Sequence, residues 1–360
     1  MFACLIASHR EAILSDSIPF MPRVGYVYDA QYLEHDMPGH PESAGRLRTI
    51  MSHLEAQGML ARLQRIEPRD ATNDDLRLVH SQALIDAVQT ASSGGHHWLD
   101  VDTYVVPGSW AAALRSAGGV LAATDAVMTG ELNSAFCLVR PPGHHSCPSR
   151  SMGFCLFNNV AIAAMHALER GGLSRVAIVD FDVHHGNGSQ DAFWAEPRVL
   201  YFSTHQYPFY PGTGDWDEAG AGNIVNVPLP RGCGDAEHIA AYEKICAPAL
   251  RRFQPELILV SAGFDAHFAD PLALELVSTR GYYEIAKLLK SLADELCGGR
   301  IVFALEGGYD HTAISWSVHA CFDALLDNNF TPDPLGDAPA VRGPDITLLL
   351  ERVRDLHGLA

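Results

Sequence analysis

The sequence has no Cys-x-x-Cys pair. Its eight cysteines, at 4, 137, 147, 155, 233, 246, 297 and 321, are scattered, so the usual spacing of a cysteine-held metal or a redox dithiol is absent. Cys137, Cys246 and Cys321 fall in apolar segments and read as small buried hydrophobes, and a reducing, cytoplasmic setting is expected. No run rich in lysine or arginine occurs. Twenty-five basic residues stand against 43 acidic ones, a formal charge of −18, which disfavours direct binding of nucleic acid. An acidic surface of this kind suits basic substrates, and equally suits plain solubility. No apolar run approaches ~18 residues, so no membrane span is expected. Residues 2–7 are apolar, but no cationic segment precedes them and the run is too short for a signal peptide. There is no internal repeat and no low-complexity segment.

What is present is apolar mass: 48% of 360 residues, ample for one large core. Short, continuous apolar runs alternate with helical patterns. Residues 24–28, 134–139, 176–179, 199–202, 257–261 and 301–305 read as strands. Helices are expected near 41–54, 72–90, 110–128, 158–170, 235–253 and 279–297. Thr72 followed by Asp75 gives a capping signal, and Pro41 a helix start. Strands that are apolar throughout, rather than alternating, are covered on both faces. The pattern predicts an α/β protein with a mainly parallel sheet between two helical layers.

The stretch 176–188, Val-Ala-Ile-Val-Asp-Phe-Asp-Val-His-His-Gly-Asn-Gly, organises the chain. In extended backbone Asp180, Asp182 and His184, spaced by two, share a face. Such a stack at a strand end is costly unless a cation or donors compensate it. Two carboxylates and one imidazole suit a divalent metal such as zinc or ferrous iron. Four further polar motifs also follow strands: Arg140-Pro-Pro-Gly-His144-His145, Ser203-Thr204-His205, Ala262-Gly-Phe-Asp265 and Glu306-Gly-Gly-Tyr309. Ligands of open α/β sheets bind beyond the carboxyl ends of the strands, so this common placement predicts one site.

Asp265 can complete a three-ligand set that leaves the ion open to water and a substrate oxygen; taken alone it is equally a loop or cap residue. His144 and His145 can divide proton transfers between them, with Asp180 and Asn187 fixing their tautomers. Tyr309, after two glycines, can donate to an oxyanion or simply pack. Gly153-Phe154 and the loop Phe209-Tyr210-Pro-Gly-Thr-Gly214 can wall an apolar channel or pack as ordinary loops. His96 and His97 read as exposed loop residues rather than ligands.

Taken together, the motifs at 140–145, 153–159 (Gly-Phe-Cys-Leu-Phe-Asn-Asn), 180–188, 261–266 and 306–309 resemble those of the zinc-dependent histone deacetylases. The likeness is greatest to class II and to bacterial histone-deacetylase-like amidohydrolases, and covers about residues 24–327. It implies the arginase–deacetylase fold, a three-layer α/β/α arrangement around an eight-stranded, mainly parallel sheet. It implies one zinc on Asp182, His184 and Asp265, paired histidines at 144 and 145 backed by Asp180 and Asn187, and Tyr309 polarising the acyl carbonyl. The asparagine at 187 looks like class II, since class I members carry aspartate. The family also binds potassium near the zinc strand. By similarity that ion would sit among Asp180, Asp182, His184, Ser203 and Thr204 with main-chain oxygens, in a structural role. Gly153, Phe154, Tyr210 and Leu272 would face the substrate. Tyr210 replaces the family's second tunnel phenylalanine, and residues 146–152 (Ser-Cys-Pro-Ser-Arg-Ser-Met) form an unusual linker.

The expected organisation is an N-terminal arm (1–23), a catalytic domain (24–330), and a linker with a short helix at 346–356 that can dock on the domain or on another subunit. The expected activity is removal of an acetyl or short acyl group from N-acyl-lysine or a related acylamine. Acetylpolyamine hydrolysis is the alternative; Leu272, where polyamine-selective relatives carry an acid, disfavours it, while nearby Glu275 pulls the other way. A two-manganese ureohydrolase and an inactive acyl-lysine binding module are further rivals.

Overall fold

The computed structural model describes residues 23–95 and 97–359. Ten strands occur among them, in chain order: β1 (Val24–Val27), β2 (Gln64–Ile66), β3 (His97–Trp98), β4 (Tyr104–Val105), β5 (Ser134–Cys137), β6 (Val176–Asp180), β7 (Val199–Gln206), β8 (Ile224–Leu229), β9 (Leu257–Ala262) and β10 (Ile301–Leu305). β3 and β4 pair as a small antiparallel hairpin. The other eight form one sheet in the order β2-β1-β5-β10-β9-β6-β7-β8, and each neighbouring pair is parallel. Helices cover both faces, so the architecture is a three-layer α/β/α sandwich of the arginase–deacetylase type. Ser109–Met128 and Asn159–Glu169 pack on each other, as do Ala44–Ala56, His311–Leu325 and Thr279–Cys297 in turn.

The expected pattern of apolar strands is reproduced because β5, β6, β9 and β10 are buried along their whole length. Parallel strands roofed by helices on both sides have no wet face on which to place polar residues. Phe136 stacks on Phe303 at 5.5 Å and tilts against Phe322 at 5.5 Å, which joins the sheet to a covering helix. The helix Thr279–Cys297 begins where Ser278 accepts from the Gly281 N–H and stops at Gly298, whose φ of 65° is the left-handed conformation of a helix end.

Several boundaries differ from expectation for identifiable reasons. The helix after Pro41 begins only at Ala44, behind Ser43. The pattern at 72–90 is two helices, Asn73–Leu76 with the Thr72/Asp75 capping box and Gln82–Ser93, because Ser81 accepts from Leu84 N and starts a new helix. The stretch 235–253 is broken by a wide π-turn at Tyr242–Cys246, just before Pro248, which has no N–H to give to the preceding turn. β7 runs on through Ser203, Thr204 and His205. β2 and β8 are additional edge strands; one carries Gln64 and Arg65, the other Asn226 and Pro228, so neither reads as a buried strand. Residues 1–22 of the expected arm, and His96, lie outside the described residues. The segment 331–344 has no helix or strand, and the last helix, Thr347–His357, buries Leu350 and Val353. No helix among the described residues is long and apolar enough to cross a membrane.

One buried ion cluster ties the first helix to the site. Glu42, with no solvent exposure, pairs with both Arg140 and Arg46, and the Nη2 of Arg140 is 2.7 Å from Glu42 Oε2. Arg140 also donates to the carbonyls of Tyr32 (3.0 Å) and His35 (2.7 Å). Arg46 donates to the carbonyls of Glu306 (2.5 Å) and Gly308 (2.6 Å). Burial opposes ionisation of Glu42, but the Arg140 guanidinium outweighs it and holds the carboxyl down at about 2, against an ordinary 4.5. A folded-state pKa below the unfolded value means stability that is complete above about 4.5 and drains as pH falls toward 2. Glu42→Gln, which leaves two buried guanidinium groups uncompensated, is expected to cost about 3–5 kcal/mol. Urea unfolding at pH 7 checks the loss, and the same titration at pH 3 should show the two proteins closer in stability.

Candidate active site

Four neighbouring central strands, β5, β10, β9 and β6, deliver the polar residues at their carboxyl ends. β5 leads into His144 and His145, β10 into Glu306 and Tyr309, β9 into Asp265, and β6 into Asp180, Asp182 and His184. β6 ends at Asp180, so Asp182 and His184 are not stacked along a strand as the spacing of two suggested. They sit on a turn whose main chain is folded onto carboxylates. Asp182 N donates to Asp180 Oδ1 (3.1 Å), His184 N to Asp182 Oδ1 (2.9 Å) and Val183 N to Asp265 Oδ1 (2.9 Å). Gly188 belongs to the helix Asn187–Phe193.

The turn brings three ligands together. His184 Nδ1 lies 3.1 Å from Asp182 Oδ1 and 3.1 Å from Asp265 Oδ2. One donor atom from each of the three falls within 4.8 Å of the others, the only such group of three found among the described residues. Both carboxylates are 1% exposed. Burial raises the Asp265 carboxyl, and the neighbouring Asp182 charge raises it further. Burial lowers the His184 imidazole, yet the two aspartates outweigh it and hold it at about 10. Two buried carboxylates that draw a proton onto the imidazole between them are a site that calls for a cation. Gly307 makes the approach possible: a Cβ there would stand 2.1 Å from Asp265 Oδ2 and 2.5 Å from Asp182 Oδ2, while its N–H donates to Asp182 Oδ2 at 2.8 Å.

The paired histidines are in unlike environments. His144 Nδ1 is 3.1 Å from Asp180 Oδ2, and its Nε2 is 3.8 Å from Asp182 Oδ1. Burial lowers its pKa, but Asp182 and Asp180 outweigh that and bring it to about 10. A divalent cation would offset the same carboxylate charge. His145 Nδ1 is 2.8 Å from Asn187 Oδ1. Burial and the adjacent His144 push its pKa well below the ordinary range. The neighbours expected for each imidazole are therefore in place.

A cavity of about 100 Å³ opens onto this group. Phe154, Tyr210, Leu272 and Gly153 line it, as do Tyr309, His144 and His145. Phe154 is held in the left-handed region (φ 68°) with its N–H on Thr103 Oγ1 at 3.1 Å, and its ring meets Tyr309 edge-on at 5.9 Å. Tyr210 meets His145 edge-on at 5.2 Å. The Tyr210 hydroxyl is buried with no partner among the described residues, which makes this wall more polar than phenylalanine would.

The expected place of Glu275 is corrected. Glu275 is buried against His238, with the carboxylate 3.5 Å from His238 Nε2, and does not line the cavity. Thr204 turns its hydroxyl to Tyr242 (3.5 Å), on the opposite face of β7 from Ser203, because alternate residues of a strand alternate sides. Ser203 itself lies beside Asp180 in register and bonds His205 Nδ1 at 2.9 Å. His97 is an exposed residue of β3, away from the site.

Phe209 belongs to the loop expected to wall the channel, whereas Asp102 and Asp270 carried no periodic or motif signal. Phe209 stacks on His184 at 5.4 Å, and Asp102, from the loop between β3 and β4, lines the cavity. Asp270 Oδ2 accepts from the N–H of Tyr309 (2.6 Å) and of Asp310 (3.1 Å), and its Oδ1 from the N–H of Leu272 (3.0 Å). Leu272 drew attention in the sequence, but nothing there indicated that Asp270, two residues before it, holds the backbone of Tyr309.

An open set of two carboxylates and one imidazole, backed by two histidines at the carboxyl edge of a parallel sheet, defines a metal-dependent hydrolase. Comparison with known proteins narrows the class. Residues 40–325 match the histone deacetylase domain. The chain is 39% identical to "Histone deacetylase 14, chloroplastic" of Arabidopsis thaliana, over 95% of this chain and 88% of that protein. It is 40% identical to a "Probable deacetylase" of Archaeoglobus fulgidus, over 79% of this chain and 81% of the other. The crystal structure of the HDA15 HD domain superposes with a TM-score of 0.85 at 36% identity, covering 93% of this chain and 94% of that one. The chain belongs to the zinc-dependent histone deacetylase family and is a hydrolytic deacetylase.

Asp270→Ala removes the acceptor for three backbone N–H groups. It is expected to cost about 1–3 kcal/mol of stability and to lower turnover about 10–100-fold, the range for lost supporting contacts at metal sites. Metal content should stay at the wild-type level. Elemental analysis beside steady-state kinetics checks this.

Proposed function

We propose that the chain removes acetyl or other short acyl groups from N-acyl-lysine side chains, with one zinc per chain held by Asp182, His184 and Asp265. The observation that carries the reading is the cavity: an aromatic and aliphatic passage through Phe154, Tyr210 and Leu272 that ends on the ligand group, the paired histidines and Tyr309. Zinc in such a site supplies a Lewis acid for an acyl oxygen and lowers the pKa of water. The protein's own groups do the rest. Phe154 and Tyr210 flank the apolar stem of the substrate and exclude water from it. With its Nδ1–H on Asn187 Oδ1, His145 presents the Nε2 lone pair and takes a proton from the attacking water. His144, its charge balanced by Asp180, returns a proton to the leaving amine. The Tyr309 hydroxyl donates to the oxyanion, while Arg46, its guanidinium 5.0 Å from the ring centroid, and Asp270 hold that residue in place.

A structural potassium ion is part of the same proposal, beside Asp180 and Ser203 with main-chain oxygens of Asp182, His184 and Thr204. Its support is the registered pair Asp180 and Ser203 on adjacent strands.

Two experiments test the reading. Asp182→Ala should lose both zinc and turnover, and Tyr309→Phe should keep zinc while losing about 100–1,000-fold in rate, as for other single oxyanion donors. Tyr309→Phe at more than a tenth of wild-type rate removes that role. For substrate class, kcat/KM is compared for an acetyl-lysine peptide and acetylspermidine. The peptide should be preferred, since Leu272 lines the cavity and Glu275 is buried away from it. Leu272→Glu should move the preference toward the polyamine.

A further inference from the structure

The linker Ser146–Met152 separates the paired histidines from the Gly-Phe-Cys motif and has no part in the chemistry described so far. It supplies two sulfur atoms to one amide. Asn187 Nδ2 donates to Cys147 Sγ at 3.2 Å and to Met152 Sδ at 3.4 Å, while Asn187 Oδ1 faces His145 Nδ1 at 2.8 Å. All four side chains are buried.

An asparagine amide can turn over and exchange its oxygen for its NH₂ at little cost in shape. The two orientations have opposite consequences here. With Oδ1 on His145, the imidazole must carry its proton on Nδ1, and the Nε2 lone pair is free to accept one. With the NH₂ on His145, Nδ1 must be the acceptor, the proton moves to Nε2, and the base is blocked. His145 alone does not decide between them. The other end of the amide does, because a thioether has no proton and can only accept. Met152 Sδ is therefore satisfied by the NH₂ and not by the oxygen. Cys147 acts in the same sense. Its S–H is directed at the His145 carbonyl, 3.7 Å from Sγ, so the sulfur lone pairs are what it offers to Asn187. Met152 is itself held, with Arg150 Nη2 2.9 Å from Sδ.

We infer that Cys147 and Met152 are positioning residues: their sulfur atoms fix the orientation of the Asn187 amide and, through it, the Nδ1–H tautomer of His145. The inference rests on the proposed role of His145 as the base. An asparagine in this position is ambiguous in a way an aspartate is not, since a carboxylate offers an acceptor whichever way it turns. The two sulfurs are what an asparagine here needs and an aspartate would not.

That difference gives the test. Cys147→Ala/Met152→Leu is made in the zinc-loaded wild type and in the Asn187→Asp background, with Met152→Leu alone as the substitute where the pair does not fold. Turnover of an acyl-lysine peptide should fall about 10–100-fold in the Asn187 protein, at unchanged KM, and less than threefold when Asn187→Asp is present. Equal losses in the two backgrounds, or no loss in the first, overturn the inference. Histidine ¹⁵N spectra of the same proteins read the tautomer of His145 without any substrate. The wild type should show Nδ1 protonated and Nε2 bare, and the sulfur variant a mixture. A wild type inactive on every acylamine would overturn the proposed function, and the spectra would then still decide this point. A sulfur variant whose His145 keeps the wild-type tautomer overturns the inference, whatever its activity.

Discussion

The structure depends on one electrostatic problem: Asp180, Asp182 and Asp265 are held together, out of water, at the edge of a sheet. Carboxylates in such a place are paid for only by donors and cations. The chain meets the cost locally, with main-chain N–H groups of residues 182, 183, 184 and 307 turned onto carboxylate oxygens. What those donors leave uncompensated is the region between Asp182, His184 and Asp265. The metal site is thus the remainder of an incomplete local balance, and its open coordination follows from how few protein ligands converge there.

A second balance, farther from the chemistry, sets where Tyr309 stands. Glu42 accepts two arginines; one grips the loop after β1, the other the carbonyls on either side of Gly307. Asp270 holds the same segment through its N–H groups. Carbonyls and amides of the Glu306–Asp310 turn are thereby gripped from opposite sides, and the two glycines within it keep their freedom without loosening the tyrosine. Glu306 itself accepts from Gly143 N and His144 N, so the turn also locates the histidine pair.

The sequence made the fold class and the converging carboxylates and imidazole legible because both are written in local spacing. Continuous apolar runs mark buried parallel strands, and motifs placed after them mark the carboxyl edge. Edge strands failed to show for other reasons: β2 is largely exposed and carries Gln64 and Arg65, while β8, though buried, is interrupted by Asn226 and Pro228, which look like loop residues. The spacing of Asp180, Asp182 and His184 suggested one face of a strand, but two of the three lie on a turn. Asp270, Glu42 and Arg46 act on backbone atoms distant in sequence, and no spacing rule records such a contact. Glu275 was misplaced because side-chain direction depends on burial by distant segments.

The order of strands has a consequence for how the molecule is made. β10 lies between β5 and β9, yet it is synthesised after both. Until residues 301–305 arrive, β5 and β9 face an empty slot, and each presents an unpaired row of N–H and C=O groups beside its apolar side chains. The group Asp182, His184 and Asp265 is complete in sequence at Asp265, so a partly made chain already carries all three residues while its central strand is missing. The nascent protein passes through a stage with two exposed edges at its middle, where pairing with another chain competes with closure. Insertion of β10 closes the sheet and brings in Tyr309 in the same event, so completion of the cavity wall and loss of the sticky edges coincide.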